Sequence, residues 1–458
     1  MRNFRSTSLL FLLAAIIGGW IWWREREPVA SKNRQIVWHF NADQVRQIRW
    51  QTMATKASKT APQSTLSLQK IGDSWTVKQS GRTFAAEADP QIVRRALERI
   101  ATLQSESVQA DSGAKRREFG LERPQSTLSV DNQTLEFGAS FPLDRRRIYA
   151  RVGNQIALLP AALTQVFARP FDDWRDRRVV HFAKTEISSF QIKAPLSSAN
   201  LGRSAPADQN SGRLAQWTIE KPGRARADAG SVDALLGTLE SATIEQFLDD
   251  HTGDKKRWNF NHPRAYFAWK TSDGQSDSLA IGAAIKGGYS AKTNRSPRIF
   301  RVSSTLLAAL NRPLREWRDK VVLPLEVNAV TKIDIIWKTQ RATLFKNGGA
   351  WKISGGITNA NAEETALRAH NSALELLGAV QTLRARDFAS RNYPVTAVEP
   401  LELRLVFGPS NQNLNFFHHK GKLCATASAP RGFDDPLYLL PDDALKTFQA
   451  PLQRIFRK

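Results

Sequence analysis

RPFDDWRDRRVV (residues 169–180) and RPLREWRDKVV (residues 312–322) are nearly the same phrase, and one chain contains both. In each copy a helical run ends at Arg-Pro, because proline disfavours helix for the residue before it. A Trp-Arg-Asp triplet and two valines follow, and a similar order of landmarks then begins again. Internal repetition of this kind indicates tandem modules. We therefore interpret the phrase, called the seam below, as the junction between successive modules.

Two further landmarks recur between the seams. A turn followed by a tryptophan strand predicts core tryptophans at Trp75, Trp217 and Trp351. A helix comes next, and Asp89 and Asp228 stand where a side chain caps the first helical turn. In the third copy the helical spacing predicts one buried face formed by Leu367, Leu374, Leu377 and Val380.

These landmarks predict an α+β fold: an N-terminal transmembrane helix followed by three tandem α+β modules, each of antiparallel strands with packed helices. A length of 458 residues suits roughly three domains. The predicted segments are a tail at residues 1–7, a transmembrane anchor at 8–23, a juxtamembrane linker at 24–35, module 1 at 36–178, module 2 at 179–320 and module 3 at 321–458.

The seam residues are interpreted as structural. We expect Trp174 and Trp317 to pack between adjacent modules, and the Arg-Asp pairs after them to cap or pair at the junction. Anion binding by the arginines at 175, 177 and 178 is the competing hypothesis. The residues assigned to the seam are Pro170, Trp174, Arg175, Asp176, Pro313, Trp317, Arg318 and Asp319.

The N-terminus contains an uncharged run, SLLFLLAAIIGGWIWW, at residues 8–23. Its length is slightly below the roughly 17–25 residues usual for a spanning helix, and its tryptophans suit a membrane interface. A cleaved signal peptide is the competing interpretation, although no small-residue cleavage site follows the run. Charges on both sides of the run leave the orientation open, and we expect the long body to be extracytoplasmic at the inner membrane.

The net charge of the chain indicates an anionic partner but does not identify which one. The chain carries 66 Lys and Arg against 43 Asp and Glu, a net charge of +23, which favours anionic surfaces. Nucleic acid is not expected, because the tryptophans follow the repeat and so belong to cores rather than to a base-stacking groove. Anionic lipid and acidic polysaccharide remain as candidate ligands.

Motifs for catalysis, cofactors and metals are missing from the sequence. No nucleophile elbow, phosphate-binding glycine loop or zinc-protease motif occurs, and we expect no catalytic, cofactor or metal site. His39 and His181 occupy equivalent places in two modules, which favours a packing role. The single cysteine, Cys424, is expected to be a buried structural thiol.

With three modules in place, the chain resembles the domain-of-unknown-function family 4340 (DUF4340). The residues that carry the resemblance in the first module are Trp75, Ala88-Asp89, Gly120-Leu121, Pro124, Phe137-Gly138, Tyr149-Ala150 and Trp174-Arg175-Asp176-Arg177. Those of the middle module are Trp217, Ala227-Asp228, Pro263, Ile281-Gly282 and Trp317-Arg318-Asp319. The third module departs most from the pattern.

The resemblance implies a single-pass, largely extracytoplasmic protein that accompanies gliding-motility-type ABC transporters. It implies no catalytic residues. We therefore expect a non-enzymatic auxiliary or scaffold component of an ABC-type transport complex in the cell envelope. The alternative is an extracytoplasmic protein that binds anionic polysaccharide or lipid through its basic surface.

Overall fold

The computed structural model describes residues 34–53, 64–203, 216–248, 257–296, 298–354, 362–389, 401–419, 421–428 and 437–456. Two compact units make up the chain, Met1–Arg177 and Arg178–Lys458. The first unit contains module 1, and the second contains modules 2 and 3.

Module 1 is built on an antiparallel sheet with the strand order β5-β4-β3-β2-β8-β9-β10-β11-β7, beside a two-stranded β1-β6 sheet. Its strands are β1 (Gln35–His39), β2 (Gln47–Thr52), β3 (Ser64–Ile71), β4 (Ser74–Gln79), β5 (Ala85–Ala88), β6 (Thr102–Ser105), β7 (Val108–Ala110), β8 (Ser126–Val130), β9 (Gln133–Ser140), β10 (Arg147–Val152) and β11 (Gln155–Pro160). Its helices are α1 (Pro90–Ile100), α2 (Gly113–Glu118) and α3 (Ala162–Phe167).

Module 2 repeats this arrangement, with the order β15-β14-β13-β12-β17-β18-β19-β20-β16. Its strands are β12 (Ile187–Ala194), β13 (Ser197–Arg203), β14 (Trp217–Lys221), β15 (Ala225–Arg226), β16 (Gln246–Phe247), β17 (Ala265–Thr271), β18 (Ser276–Ile285), β19 (Gly288–Thr293) and β20 (Phe300–Val302). Its helices are α4 (Ala229–Glu240) and α5 (Ser304–Leu310).

Module 3 has the order β23-β22-β21-β25-β26-β27-β28-β24. Its strands are β21 (Lys332–Trp337), β22 (Gln340–Asn347), β23 (Ala350–Ser354), β24 (Asp387–Ala389), β25 (Leu401–Phe407), β26 (Ser410–His419), β27 (Lys422–Ala427) and β28 (Leu437–Leu439). Its helices are α6 (Ala362–Thr382) and α7 (Lys446–Phe456).

The predicted fold class, an α+β chain led by a transmembrane helix, is wrong. Antiparallel strands account for most of the regular structure. Within the described residues no helix is long and apolar enough to cross a membrane. The error has a physical source: the helical runs gave the stronger sequence signal, whereas many of the strands have only two to six residues. The anchor predicted at residues 8–23 lies outside the described residues.

Helix α1 shows how the local sequence produces the module. Asp89 accepts hydrogen bonds from the amides of Gln91 and Ile92, and Pro90 occupies the first helical position. The side chains that face the sheet follow helical spacing and are buried: Val93, Ala96, Leu97 and Ile100. Helix α6 departs from its prediction, because Leu377 and Val380 are buried while Leu367 and Leu374 are exposed. Alanines and Ser372 fill the buried face of α6 instead.

A strand glycine recurs for a steric reason. A Cβ atom at Gly138 would lie 2.3 Å from the backbone oxygen of Phe119, and one at Gly282 would lie 2.0 Å from that of Trp258. In both modules the chain crosses the sheet here, and that oxygen accepts a hydrogen bond from the residue after the glycine. Only glycine allows this close approach of two backbones.

Candidate anion-binding site

Each seam closes its own module by extending the sheet edge. In module 1 the amide of Asp89 donates to the Trp174 oxygen (2.8 Å), and that of Asp176 donates to Glu87 (3.0 Å). In module 2 the amide of Asp228 donates to the Trp317 oxygen (2.9 Å), and that of Asp319 to Arg226 (3.0 Å). The Trp-Arg-Asp triplet therefore forms a short antiparallel bridge beside β5 or β15.

The seam tryptophans are core residues of the module that they close. Trp174 and Trp317 are both fully buried, each within the hydrophobic cluster of its own module. Our expectation that these indoles pack between modules is therefore wrong. The arginine before the seam proline covers each ring, Arg169 at 5.0 Å from the Trp174 centroid and Arg312 at 5.5 Å from the Trp317 centroid.

The remaining landmarks occupy structural positions. Trp75, Trp217 and Trp351 lie in the cores of modules 1, 2 and 3. Asp228 caps α4 by accepting from the Ser231 amide at 2.7 Å. Pro170 and Pro313 each precede a short 3-10 turn, Phe171–Asp173 and Leu314–Trp317.

The first seam buries its arginine. Arg175 is 3% exposed, pairs with Asp172 at 3.2 Å and lies within 6 Å of the Phe84 and Phe171 rings. Arg177 pairs with Asp173 at 3.5 Å. A buried guanidinium cannot meet a ligand, so the structure disfavours anion binding through Arg175 at this seam.

The second seam opens onto a cleft of about 450 Å³, which we call the basic cleft. Its cations come from the seam and from module 3, and its acceptors come from the start of α4, the seam and β24. The side chains that line it are Arg312, Arg315, Arg318, Lys320, Arg386, Asp228, Ser231, Glu316 and Asp387.

Salt bridges hold part of this lining. Arg312 pairs with Glu316 at 3.1 Å, and Arg315 pairs with Asp387 at 3.6 Å. Arg318 lies 5.5 Å from the centroid of Phe388. Lys320 and Arg386 have no side-chain hydrogen bond or salt bridge to any described residue, and both are exposed. Five cations against three carboxylates leave the cleft with net positive charge.

Backbone contacts between modules 2 and 3 fix the walls of the cleft. The amide of Ala385 donates to the Lys320 oxygen at 2.8 Å, so that Lys320 and Arg386 become neighbours. Arg226 donates to the Val321 oxygen at 2.5 Å and lies 3.6 Å from Asp319. Burial, together with the nearby Asp319 carboxylate, raises the pKa of Tyr438, whereas the Arg226 guanidinium opposes this rise.

Sequence reasoning missed this site because it placed the competing anion-binding hypothesis at the first seam and treated the second seam as structural. Of the cleft cations only Arg318 was assigned a role, which was to cap or pair with Asp319 at the junction. Lys320 is the last residue of the predicted module 2, and Arg386 lies 66 residues further along the chain. One sequence feature could have indicated this site. The second copy of the seam phrase is more positively charged than the first, because Arg315 stands where the first copy has Asp172.

The histidines and the cysteine do not add a second site at the basic cleft. His39 and His181 are both exposed, so the packing role expected for them is wrong. Cys424 is buried, as expected, and burial raises the pKa of its thiol. The basic cleft itself is lined by neither histidine nor cysteine.

The sequence matches a protein family over most of its length. Residues 75–213 and 217–404 match the family described as "Domain of unknown function (DUF4340)". The chain belongs to this family. DUF4340 membership assigns no activity to the chain.

Comparison with other proteins adds little to this assignment. No curated protein matches the chain. A DNA polymerase sliding clamp from Pseudomonas aeruginosa, solved with a ligand, is similar at 7% identity over 88% of this chain and 92% of that one. The TM-score is 0.13, which is too low to indicate a shared fold.

Proposed function

We propose that this DUF4340 protein is a non-enzymatic binding protein of the cell envelope that holds an anionic group in the basic cleft. The observation that carries the proposal is the convergence of five cationic side chains on one cleft of about 450 Å³. Arginine forks match the geometry of phosphate and carboxylate groups, and lysine adds a point charge. The candidate ligands are an acidic sugar and an anionic lipid headgroup.

Preorganisation supports this proposal. The backbone bond between Ala385 and Lys320 holds two cations from different modules together before any ligand arrives. The Arg315–Asp387 salt bridge restrains a third. Because less side-chain freedom is then lost on binding, more of the electrostatic attraction contributes to affinity.

The non-enzymatic part of the proposal follows from what the acids in the cleft already do. Asp228 caps α4, Glu316 pairs with Arg312, and Asp387 pairs with Arg315. General acid–base chemistry needs a side chain that exchanges protons with the substrate, most often histidine or an uncommitted carboxylate. The lining of the basic cleft offers neither.

The binding test compares two charge-matched double variants of the full chain. K320A/R386A removes two cleft cations and keeps the backbone bond between Ala385 and Lys320, while K270A/R341A removes two exposed cations on strands outside the cleft. We expect K320A/R386A to weaken binding of polygalacturonate, or of phosphatidylglycerol vesicles, about tenfold, or roughly 1.4 kcal/mol. K270A/R341A should stay within about twofold of the wild type, measured by titration at low and physiological salt. Equal losses in the two variants, or no binding by the wild type, would refute the proposal.

A second candidate function is that of an auxiliary or scaffold component of an ABC-type transport complex, with the body outside the cytoplasm. One face of the module 3 sheet supports it. The register places Thr343, Asp334, Arg404 and Asn413 side by side across four strands. Such a polar row suits contact with a protein partner more than a lipid.

Affinity purification of the full chain from membranes in mild detergent tests the scaffold role. We expect an ATPase and a permease to co-purify at both low and moderate salt, because a packed protein interface is less salt-sensitive than a charge contact. Recovery of the chain without either protein would contradict it and leave the ligand-binding function standing alone.

A further inference from the structure

The size and lining of the basic cleft also indicate which chemical group is attached to the bound anion. A phosphate ion is only a few times larger than a water molecule, whose share of liquid volume is about 30 Å³. Clefts of roughly 300–1,000 Å³ hold larger organic ligands. At about 450 Å³ the basic cleft has room for a ring as well as its charged group.

The acceptors in the cleft restrict the chemistry of that ring. Asp228, Glu316 and Asp387 are anionic and would repel a bare anion placed against them. They suit a ligand that presents hydrogen-bond donors where they lie, as sugar hydroxyls do. Ser231 adds a hydroxyl that both donates and accepts. No apolar side chain is among the lining residues, which disfavours an acyl chain or an aromatic ring inside the cleft.

We propose that the basic cleft binds a sugar unit that carries two negative charges, such as a sugar phosphate. The cations exceed the carboxylates by two, which matches the charge of a phosphate monoester near neutral pH. In this arrangement Arg318, Lys320 and Arg386 contact the phosphate, and the carboxylates of Glu316 and Asp387 accept from the hydroxyls. This inference rests on the proposed function, because it names the ligand of the same cleft.

Calorimetric titration of the full chain with three probes tests the inference. The probes are glucose 6-phosphate, inorganic phosphate and glucose. We expect glucose 6-phosphate to bind about tenfold more tightly than inorganic phosphate, since the hydroxyls add contacts worth roughly 1.4 kcal/mol together. Glucose alone should not bind at the same concentrations, because it lacks the charged group.

A single variant sharpens the test. Glu316→Ala removes one carboxylate from the cleft and leaves the five cations in place. Inorganic phosphate should then bind more tightly, because a repulsive charge is gone, whereas the advantage of glucose 6-phosphate should shrink several-fold. A general loss of structure would weaken the binding of inorganic phosphate, so its predicted tightening separates ligand contact from misfolding.

Two further binding experiments identify whether the sugar phosphate belongs to a lipid or to a glycan. Vesicles containing phosphatidylinositol 4-phosphate present it as a lipid headgroup, and a phosphorylated mannan presents it as a glycan. Binding to either one that free glucose 6-phosphate displaces supports the inference and names the source.

The failures of the two proposals are distinguishable. If inorganic phosphate binds as tightly as glucose 6-phosphate, and K320A/R386A weakens both, the anion-binding function stands and the sugar inference is overturned. If neither probe binds, and polygalacturonate and phosphatidylglycerol vesicles do not bind either, both proposals fail.

Discussion

Arg175 and Arg318 occupy the same position in two copies of one phrase, yet they lie in different environments. Arg175 is buried beside Asp172 and two phenylalanine rings. Arg318 is half-buried, lies over Phe388 and lines the basic cleft. The backbone closure around the two arginines is the same in both modules. A repeated motif therefore fixes the position of a residue but leaves its task to the neighbouring side chains.

One substitution changes the ion pairs at the second seam. Asp172 stands three residues before Arg175 and pairs with it, whereas Arg315 stands at that place before Arg318. Two guanidinium groups repel each other, so the ion pair between Asp172 and Arg175 has no counterpart between Arg315 and Arg318. Arg315 instead pairs with Asp387 of module 3, and the second seam becomes part of a charged cleft.

The largest expected effect tests what the two seams share. Trp174→Ala and Trp317→Ala each remove a fully buried indole from a module core, so each should lower the free energy of unfolding by about 3–5 kcal/mol. Urea denaturation of the full chain gives the loss, and hydrogen exchange of the core strands locates it in the module concerned. A loss below about 1 kcal/mol in either variant would contradict equivalent burial.

A smaller effect separates the same two tryptophans. Trp317 Nε1 donates to Ser197 Oγ at 3.1 Å, whereas Trp174 Nε1 has no hydrogen-bond partner among the described residues. Trp317→Phe should therefore cost roughly 1 kcal/mol more than Trp174→Phe, because it also leaves a buried hydroxyl without its donor. Adding Ser197→Ala to each variant is the control. It should make the two losses of unfolding free energy equal, because the Trp317–Ser197 bond is then absent from both. Losses that stay unequal would show that packing, and not this bond, causes the difference.

The sequence carried the repeated, local features of the fold. Asp89 and Asp228 read as caps because their acceptors precede a helical run, and the structure has both bonds. Gly138 and Gly282 were recognised as a pattern, but their reason, a crossing backbone, needed the three-dimensional structure. The burial of Leu367 and Leu374 was predicted wrongly, since a 21-residue helix has more apolar positions than its sheet covers.

The basic cleft could not be predicted from the sequence for a different reason. It depends on Arg386 lying beside Lys320, a contact made by a backbone bond between distant segments. No periodicity or spacing encodes that contact. The charge reversal from Asp172 to Arg315 was visible, but its meaning depends on Asp387.

The central claim is that Arg175 stabilises its module whereas Arg318 binds the ligand. The most direct test is to measure both unfolding free energy and ligand affinity for Arg175→Ala and Arg318→Ala. Arg175→Ala should lower the free energy of unfolding by about 2 kcal/mol and leave polygalacturonate affinity within about twofold, because the lost contacts are buried in module 1. Arg318→Ala should weaken binding about five- to tenfold and cost about 1 kcal/mol of stability, since its contact with the Phe388 ring is only half-buried. Both variants losing stability alone would contradict the account and return the second seam to a purely structural role.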